Sequence, residues 1–439
     1  MNLPRWLSAV YLSLITGFLI GIILMGAEAW PHGSIEQLKA FLAGGKEERD
    51  LTFLEKIVND LDVRPERHLE TLSLVEPSED ARPVSVPGLS GKRQMPLVWI
   101  HPDAPEGYWV IFGPFDFEDN LHGAILIDHQ GRCVHTWQID FDAIANPEGV
   151  NPYLTYPHGF LIQPDASILF GFDNLVSLTR LGAEGNVIWS RSGGHHHALS
   201  AADGGYLWAF SGLDLAKFSV DDGKLVKIIR FSAMLRVNNA ETDLFGLPSI
   251  DTREGSELNL TPEDDPFHPN DVDPLPAAYA DAFPQFEAGD LVLSYRDLNL
   301  IFVIDAETAK IKWYRHSAFR RQHDPDWLPD GRISVFDNNM HRGWARIAAI
   351  NPQTYEVETT LPGKPYRFAS WHRGKHQVTD DGSHVVTSTV QGRAFMVAPD
   401  GQKVFDFYNR YEDDQVLAVS EALWLPSDYF EEDVDFAND

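Results

Sequence analysis

From about residue 97 the chain reads as apolar runs of strand length separated by turn residues. Two turn signatures alternate along it. Asp-Gly stands between two strands at Asp203-Gly204, Asp330-Gly331 and Asp381-Gly382, with Gly289-Asp290 in reversed order. The second signature leads from a turn residue to an aromatic: Asp128 to Trp137, Gly182 to Trp189, Asp305 to Trp313 and Asp400 to Phe405. Asp-Gly favours tight hairpins, because glycine takes positive φ without steric cost.

Each unit therefore reads histidine, strand, turn, strand, loop, strand, turn, strand with Trp. The histidines that open units are His158, one of His195 to His197, His268, His323 and His376. Residues 97–140 form a further unit with a less obvious first strand. Six units of four short strands predict an all-β, six-bladed β-propeller over residues 97–439. One small twisted sheet cannot bury both faces alone, whereas a closed ring can. Closure is expected from an N-terminal strand on the last unit, with the residues after 411 (QVLAVSEALWLP) as a further source. In such a ring, a histidine at the same point of each blade becomes a circle of histidines at one mouth.

Before this body the pattern differs. Residues 6–27 (WLSAVYLSLITGFLIGIILMGA) are apolar or small and long enough to cross a bilayer as a helix. Arg5 precedes them and Glu28 follows, which puts the rest of the chain outside the cytoplasm. Ala27-Glu28-Ala29 also has the form of a signal cleavage site, but the apolar run exceeds the usual signal length and favours a retained anchor over 1–29. Residues 30–96 read as a helical stalk and a Pro-rich linker. Ser34 to Gln37 form a capping box, and Leu51, Leu54, Ile57, Val58 and Leu61 share one helical face. Pro65, Pro77, Pro83, Pro87 and Pro96 mark 62–96 as irregular.

Composition narrows the function. The formal net charge of −30 argues against nucleic acid and against an anionic lipid surface. An anionic substrate would need a local positive pocket within a negative field. The single cysteine, Cys133, rules out an intrachain disulfide.

Against that background a few residues stand out. His323, in Gln322-His323-Asp324-Pro325, is alone no more than a hydrogen-bonded turn histidine, but the repeat sets it among others. Asn270 lies two residues after His268, on the same side of an extended chain. Arg296 interrupts a strand pair in an acidic protein and suits a guanidinium clamp on an anion, with a salt bridge to Asp297 as the ordinary alternative. Within the histidine triplet, counting seven back from Asp203 selects His196 and leaves His197 as a neighbour in the mouth. His158 and His376 carry the frame without a distinctive flank, which favours a structural role. An arginine beside several histidines disfavours a metal site, so neither metal nor cofactor is expected.

The segment Gly289 to Asn338, with its R-D-L-N and Q-H-D-P-x-x-L-P-D-G-x-x-x-x-F-D-N strings, resembles the bacterial arylsulfotransferases. The resemblance takes in the H-x-N of His268 to Asn270 and extends more loosely over about residues 105–410. It implies a six-bladed propeller, in agreement with the repeat count. It also implies transfer of a sulfuryl group from an aryl sulfate to a phenol, without a nucleotide donor (PAPS), through a sulfated histidine. On that basis His323 is the sulfuryl carrier, and His268 and His196 are catalytic partners. Arg296, Asn270 and His197 bind substrate, and Asp324 or Asp326 orients His323. The implied location is the bacterial inner membrane, single-pass, with the propeller in the periplasm. The chain departs from familiar secreted members in lacking a cysteine pair, in its anchor, and in an acidic insertion over 232–267 that reads as a lid or an exposed loop. The alternative is a non-catalytic, membrane-anchored propeller serving as a subunit or scaffold of an envelope complex. A protein partner or a second copy of the chain is then expected.

Overall fold

A computed structural model describes residues 69–71, 76–89, 94–118, 120–145, 155–172, 176–193, 195–238, 244–245, 267–411, 415–432, 434 and 436. The expected anchor and both stalk helices lie outside the described residues, as does most of the acidic insertion. Among the described residues no helix is long and apolar enough to cross a membrane.

Residues 97–426 form a six-bladed β-propeller of antiparallel sheets. Blade I takes its first, innermost strand from Glu421–Pro426 and its others from Gly107–Pro114, His122–Asp128 and Cys133–Ile139. The inner strands of blades II to VI are Pro157–Ile162, His195–Ala202, Pro269–Pro274, His323–Trp327 and Lys375–Val378. The six inner strands neighbour one another in that order, with Glu421–Pro426 between Lys375–Val378 and Pro157–Ile162.

Both ends of the chain latch the ring. Glu421–Pro426 completes blade I, which explains why that unit lacked a visible first strand. Leu97–Ile100 adds a strand outside Lys403–Tyr408 of blade VI, and Arg82–Pro83 adds another outside that. The Pro-rich stretch read as an irregular linker is thus partly built into the sheet. Val84 and Val86 are buried in the core with Val98 and Phe405. The stretch after residue 411 is held in place as well. Gln415–Leu417 pairs with Leu69–Thr71, and the Tyr429 hydroxyl donates to the Ile162 carbonyl at 2.6 Å.

The outer-strand tryptophans of blades I and II have a physical role. Trp137 of blade I donates its indole N–H to the Ala166 carbonyl of blade II at 2.9 Å. Trp189 of blade II does the same to Val220 of blade III at 2.9 Å. A ring that fills the gap between sheets and a single donor that ties to the next blade suit this position. The Asp-Gly hairpins also form, with Gly204, Gly331 and Gly382 at φ of 83°, 85° and 85°. At Gly331 a Cβ would come within 2.5 Å of the Ala282 carbonyl oxygen, so close approach and positive φ both require glycine.

Cys133 is partly buried, and desolvation pushes its thiol pKa up to about 12. A thiol held protonated reacts slowly. Ellman's reagent is therefore expected to label native protein over hours and urea-unfolded protein at once. Rapid native labelling would contradict the burial.

Candidate active site

Four inner strands share an irregularity at their first residues. The pairing register shifts between Pro157 and Phe160, between His196 and Leu199, between Pro269 and Asp271, and between His323 and Asp326. Each bulge adds unpaired backbone and re-aims side chains. Positive φ accompanies it at Gly159 (91°), His197 (65°), His268 (49°) and Asp324 (56°). Left-handed backbone at non-glycine residues costs roughly 1–3 kcal/mol each and concentrates at functional sites. The inner strands of blades VI and I pair in regular register.

The bulges bring His158, His197 and His268, of blades II to IV, into ring contact. The ring centroids of His158 and His197 are 4.5 Å apart, and those of His197 and His268 4.7 Å. His196, selected by the count of seven, stands behind His197. Hydrogen-bond accounting fixes the tautomers. His196 Nε2 meets the Gly212 carbonyl at 3.1 Å and must donate to it. In neutral His196 the Nδ1 then accepts, from His197 Nδ1. His197 Nε2 in turn accepts from His268 Nε2 at 2.9 Å. The result is a directed chain from His268 through His197 to His196 and a main-chain oxygen.

His323 is buried (3% exposed) at the first position of blade V. Its Nδ1 lies 2.7 Å from Asn338 Oδ1. The Asn338 amide nitrogen donates to the carbonyls of Ser370 (2.7 Å) and Arg373 (2.6 Å), so its oxygen must face the imidazole. His323 therefore carries its proton on Nδ1 and a lone pair on Nε2, which accepts the Arg373 main-chain N–H at 3.1 Å. Desolvation first, and the nearby Arg296 guanidinium next, hold its pKa well below the ordinary value. The result is a neutral imidazole with its nucleophilic nitrogen defined.

Asn338, rather than Asp324 or Asp326, orients His323. Asp324 instead accepts from Lys375 Nζ at 2.6 Å and from His376 Nδ1 at 2.9 Å. Asn338 directly follows the second strand of blade V, the position that Arg296 holds in blade IV. It closes the F-D-N string, and that shared frame was the available signal.

Arg296 is both a candidate clamp and an ion-pair partner. Its Nε contacts Asp297 Oδ1 at 3.0 Å, and its charge acts on both His197 and His323. Asp297 is shared with Arg321 at 3.2 Å. Asn270 does not present its amide nitrogen to an anion. That nitrogen donates to the Gln322 carbonyl at 2.8 Å and so positions the residue preceding His323.

Further along the inner strands lies a buried charged cluster of Asp271, Asp273, Asp324, Asp326, Glu421 and Lys375. Lys375 Nζ binds Asp271 Oδ2 at 2.8 Å as well as Asp324. Glu421 of blade I stands where other blades carry histidine. His376, in its regular register, joins this cluster and not the histidine group, with Ser334 Oγ 2.9 Å from its Nε2. Asp324, Asp326 and His376 hold ligand atoms within 4.8 Å of one another. The Asp324 oxygens and both His376 nitrogens are already hydrogen-bonded there, and Lys375 supplies the cation. The donor set is thus occupied by protons, not arranged around a missing ion.

Burial raises the Asp271 pKa to about 7 and the Glu421 pKa to about 8. Both exceed the unfolded values near 4, so between those limits the folded state holds more protons than the unfolded state. Stability then falls as pH rises. The buried neutral histidines oppose this only below about pH 6.5, where the unfolded chain gains protons that they refuse. From pH 6.5 to 8.5 the unfolding free energy is expected to drop by on the order of 2 kcal/mol. Urea titrations at the two pH values check this, and Glu421→Gln should reduce the slope without abolishing it, since burial also raises Asp273 and Asp326.

Residues 208–410 match the family model described as arylsulfotransferase (ASST). No curated protein matches the chain. Among solved structures, a protein of unknown function from Bacteroides caccae aligns at 8% identity and TM-score 0.47, covering 73% of this chain and 99% of that one. TolB from Acinetobacter baumannii aligns at 12% identity and TM-score 0.44, covering 73% and 67%. Virginiamycin B lyase from Staphylococcus aureus aligns at 10% and 0.34, covering 57% and 69%. These three alignments bear on neither activity nor substrate. Residues 208–410, the span that carries His268, Arg296 and His323, are thus similar to the arylsulfotransferase family.

Proposed function

We propose that this protein moves a sulfuryl group from an aryl sulfate ester to a phenolic acceptor, through a sulfated His323, without a nucleotide sulfate donor. The observation that carries this is the state of His323: neutral, protonated on Nδ1 by its bond to Asn338, with its lone pair on Nε2, which the Arg373 main-chain N–H releases as the donor enters. Nε2 attacks sulfur, the S–O bond to the aryl group breaks, and phenolate leaves. A phenol oxygen then attacks the same sulfur, and the S–N bond returns its electron pair to Nε2. Two displacements replace one difficult one. Arg296 offsets charge on the sulfuryl oxygens, as guanidinium groups do in phosphoryl transfer. The directed His268–His197–His196 chain holds the His268 ring in place beside them.

The test is intact-mass and peptide analysis after incubation with 4-nitrophenyl sulfate. A sulfuryl adduct on the peptide containing His323 is expected. Phenol release with an adduct elsewhere, or with free sulfate as the sole product, would overturn the reading.

The apolar run at 6–27 supports a further part of the proposal: a single-pass anchor in the bacterial inner membrane, with the propeller in the periplasm. Carbonate extraction that leaves the full chain in the membrane fraction, with the propeller protease-accessible only after outer-membrane permeabilisation, is the expected outcome. The non-catalytic alternative has no specific support in the site's geometry.

A further inference from the structure

His158 is the blade-opening histidine of the histidine group that the preceding mechanism leaves unused. It is buried (6% exposed), yet its Nδ1 has no hydrogen-bond partner among the described residues. The other histidines of the group differ. His196 and His197 each have both ring nitrogens engaged in the directed chain, and His268 Nε2 is its donor.

His158 is also next to the nucleophile's surroundings. Its ring packs on His197 at 4.5 Å and on Tyr156 at 5.7 Å. The Arg373 guanidinium lies 3.9 Å from the centre of the Tyr156 ring, while the Arg373 main-chain N–H sits on His323 Nε2. One residue thus bridges the start of blade II to the reactive nitrogen of blade V. The bulge between Pro157 and Phe160, with Gly159 at φ 91°, is the local cause of this placement. At Gly159 a Cβ would come within 3.1 Å of the His197 carbonyl oxygen, so the two blade-opening turns approach closely only because that residue is glycine.

We infer that His158 is the general base that takes the proton from the acceptor phenol. This rests on the sulfuryl-transfer reading above. The phenol O–H bond breaks toward His158 Nδ1 as the oxygen bonds to sulfur, and the S–N electron pair returns to His323 Nε2. The imidazolium left on His158 gives its proton to the next departing phenolate, so the cycle closes without net proton change. Burial and the Arg373 charge favour the neutral base that this step requires.

The experiment separates the two half-reactions in the full-length protein. With 4-nitrophenyl sulfate as donor, His158→Gln should keep the burst of 4-nitrophenolate within about threefold, since that leaving group needs no proton. Transfer from the sulfated enzyme to unsubstituted phenol should fall roughly 10²–10⁴-fold. Transfer to an acidic nitrophenol, already ionised at the working pH, should be spared. Equal losses in both half-reactions, or for both acceptors, would overturn the assignment. Should His158→Gln not fold, wild-type protein serves. A solvent deuterium isotope effect on transfer to phenol, absent with the nitrophenol, supports the base, and no effect on either overturns it. A wild type that shows no burst at all overturns the transferase reading and this inference with it.

Discussion

His323→Ala is expected to lose sulfuryl transfer by at least about 10⁴-fold in kcat, together with the burst and the adduct. The magnitude follows from removing the covalent step itself. His268 Nε2 is committed to His197, and His376 to the acidic cluster. The fold should tolerate the change, because Asn338 keeps two main-chain acceptors. Asn338→Leu makes a sharper comparison. It leaves the nucleophile in place but removes the acceptor that holds the proton on Nδ1, so transfer should slow while an adduct still forms. Equal phenol release by wild type and His323→Ala would end the enzyme reading.

Lys375→Met is expected to destabilise the propeller by roughly 3–5 kcal/mol at neutral pH, with little loss of burst amplitude per folded molecule. Lys375 holds two buried carboxylates at 2.8 and 2.6 Å, with Glu421 and Asp273 nearby. A methionine fills the space but leaves the Asp271 and Asp324 carboxylates without their cation. Without the ammonium, the folded carboxylates bind protons more tightly still, so the deficit should be largest at pH 8 and shrink toward pH 5.5. Urea midpoints of variant and wild type at the two pH values measure this. A deficit independent of pH would show that lost packing, not charge, is responsible.

The blade count, the Asp-Gly hairpins and the frame of histidines were legible because they rest on periodicity, which survives in a single sequence. The first strand of blade I was not, because its residues lie at the opposite end of the propeller sequence. Glu421 in the histidine frame was hidden for the same reason. The histidine site was legible only in part. The count of seven back from Asp203 points to His196, but the bulge after it turns His197 toward His158 and His268. His376 repeats the frame yet joins the acidic cluster, because its strand has no bulge. Bulges depend on contacts between blades, so the strand-by-strand pattern does not encode them. Asn338 closes the F-D-N string, but its function depends on the position of the Ser370 and Arg373 carbonyls.

The split origin of blade I also bears on biosynthesis. Gly107–Pro114 must wait for Glu421–Pro426, about 310 residues later, before its inner edge is covered. At roughly 5–20 residues per second that is about 15–60 s of an uncovered, almost wholly buried-type strand on the ribosome. Such edges recruit other strands. The interval is a window in which a holding chaperone, or threading through a translocation channel, would protect the nascent chain.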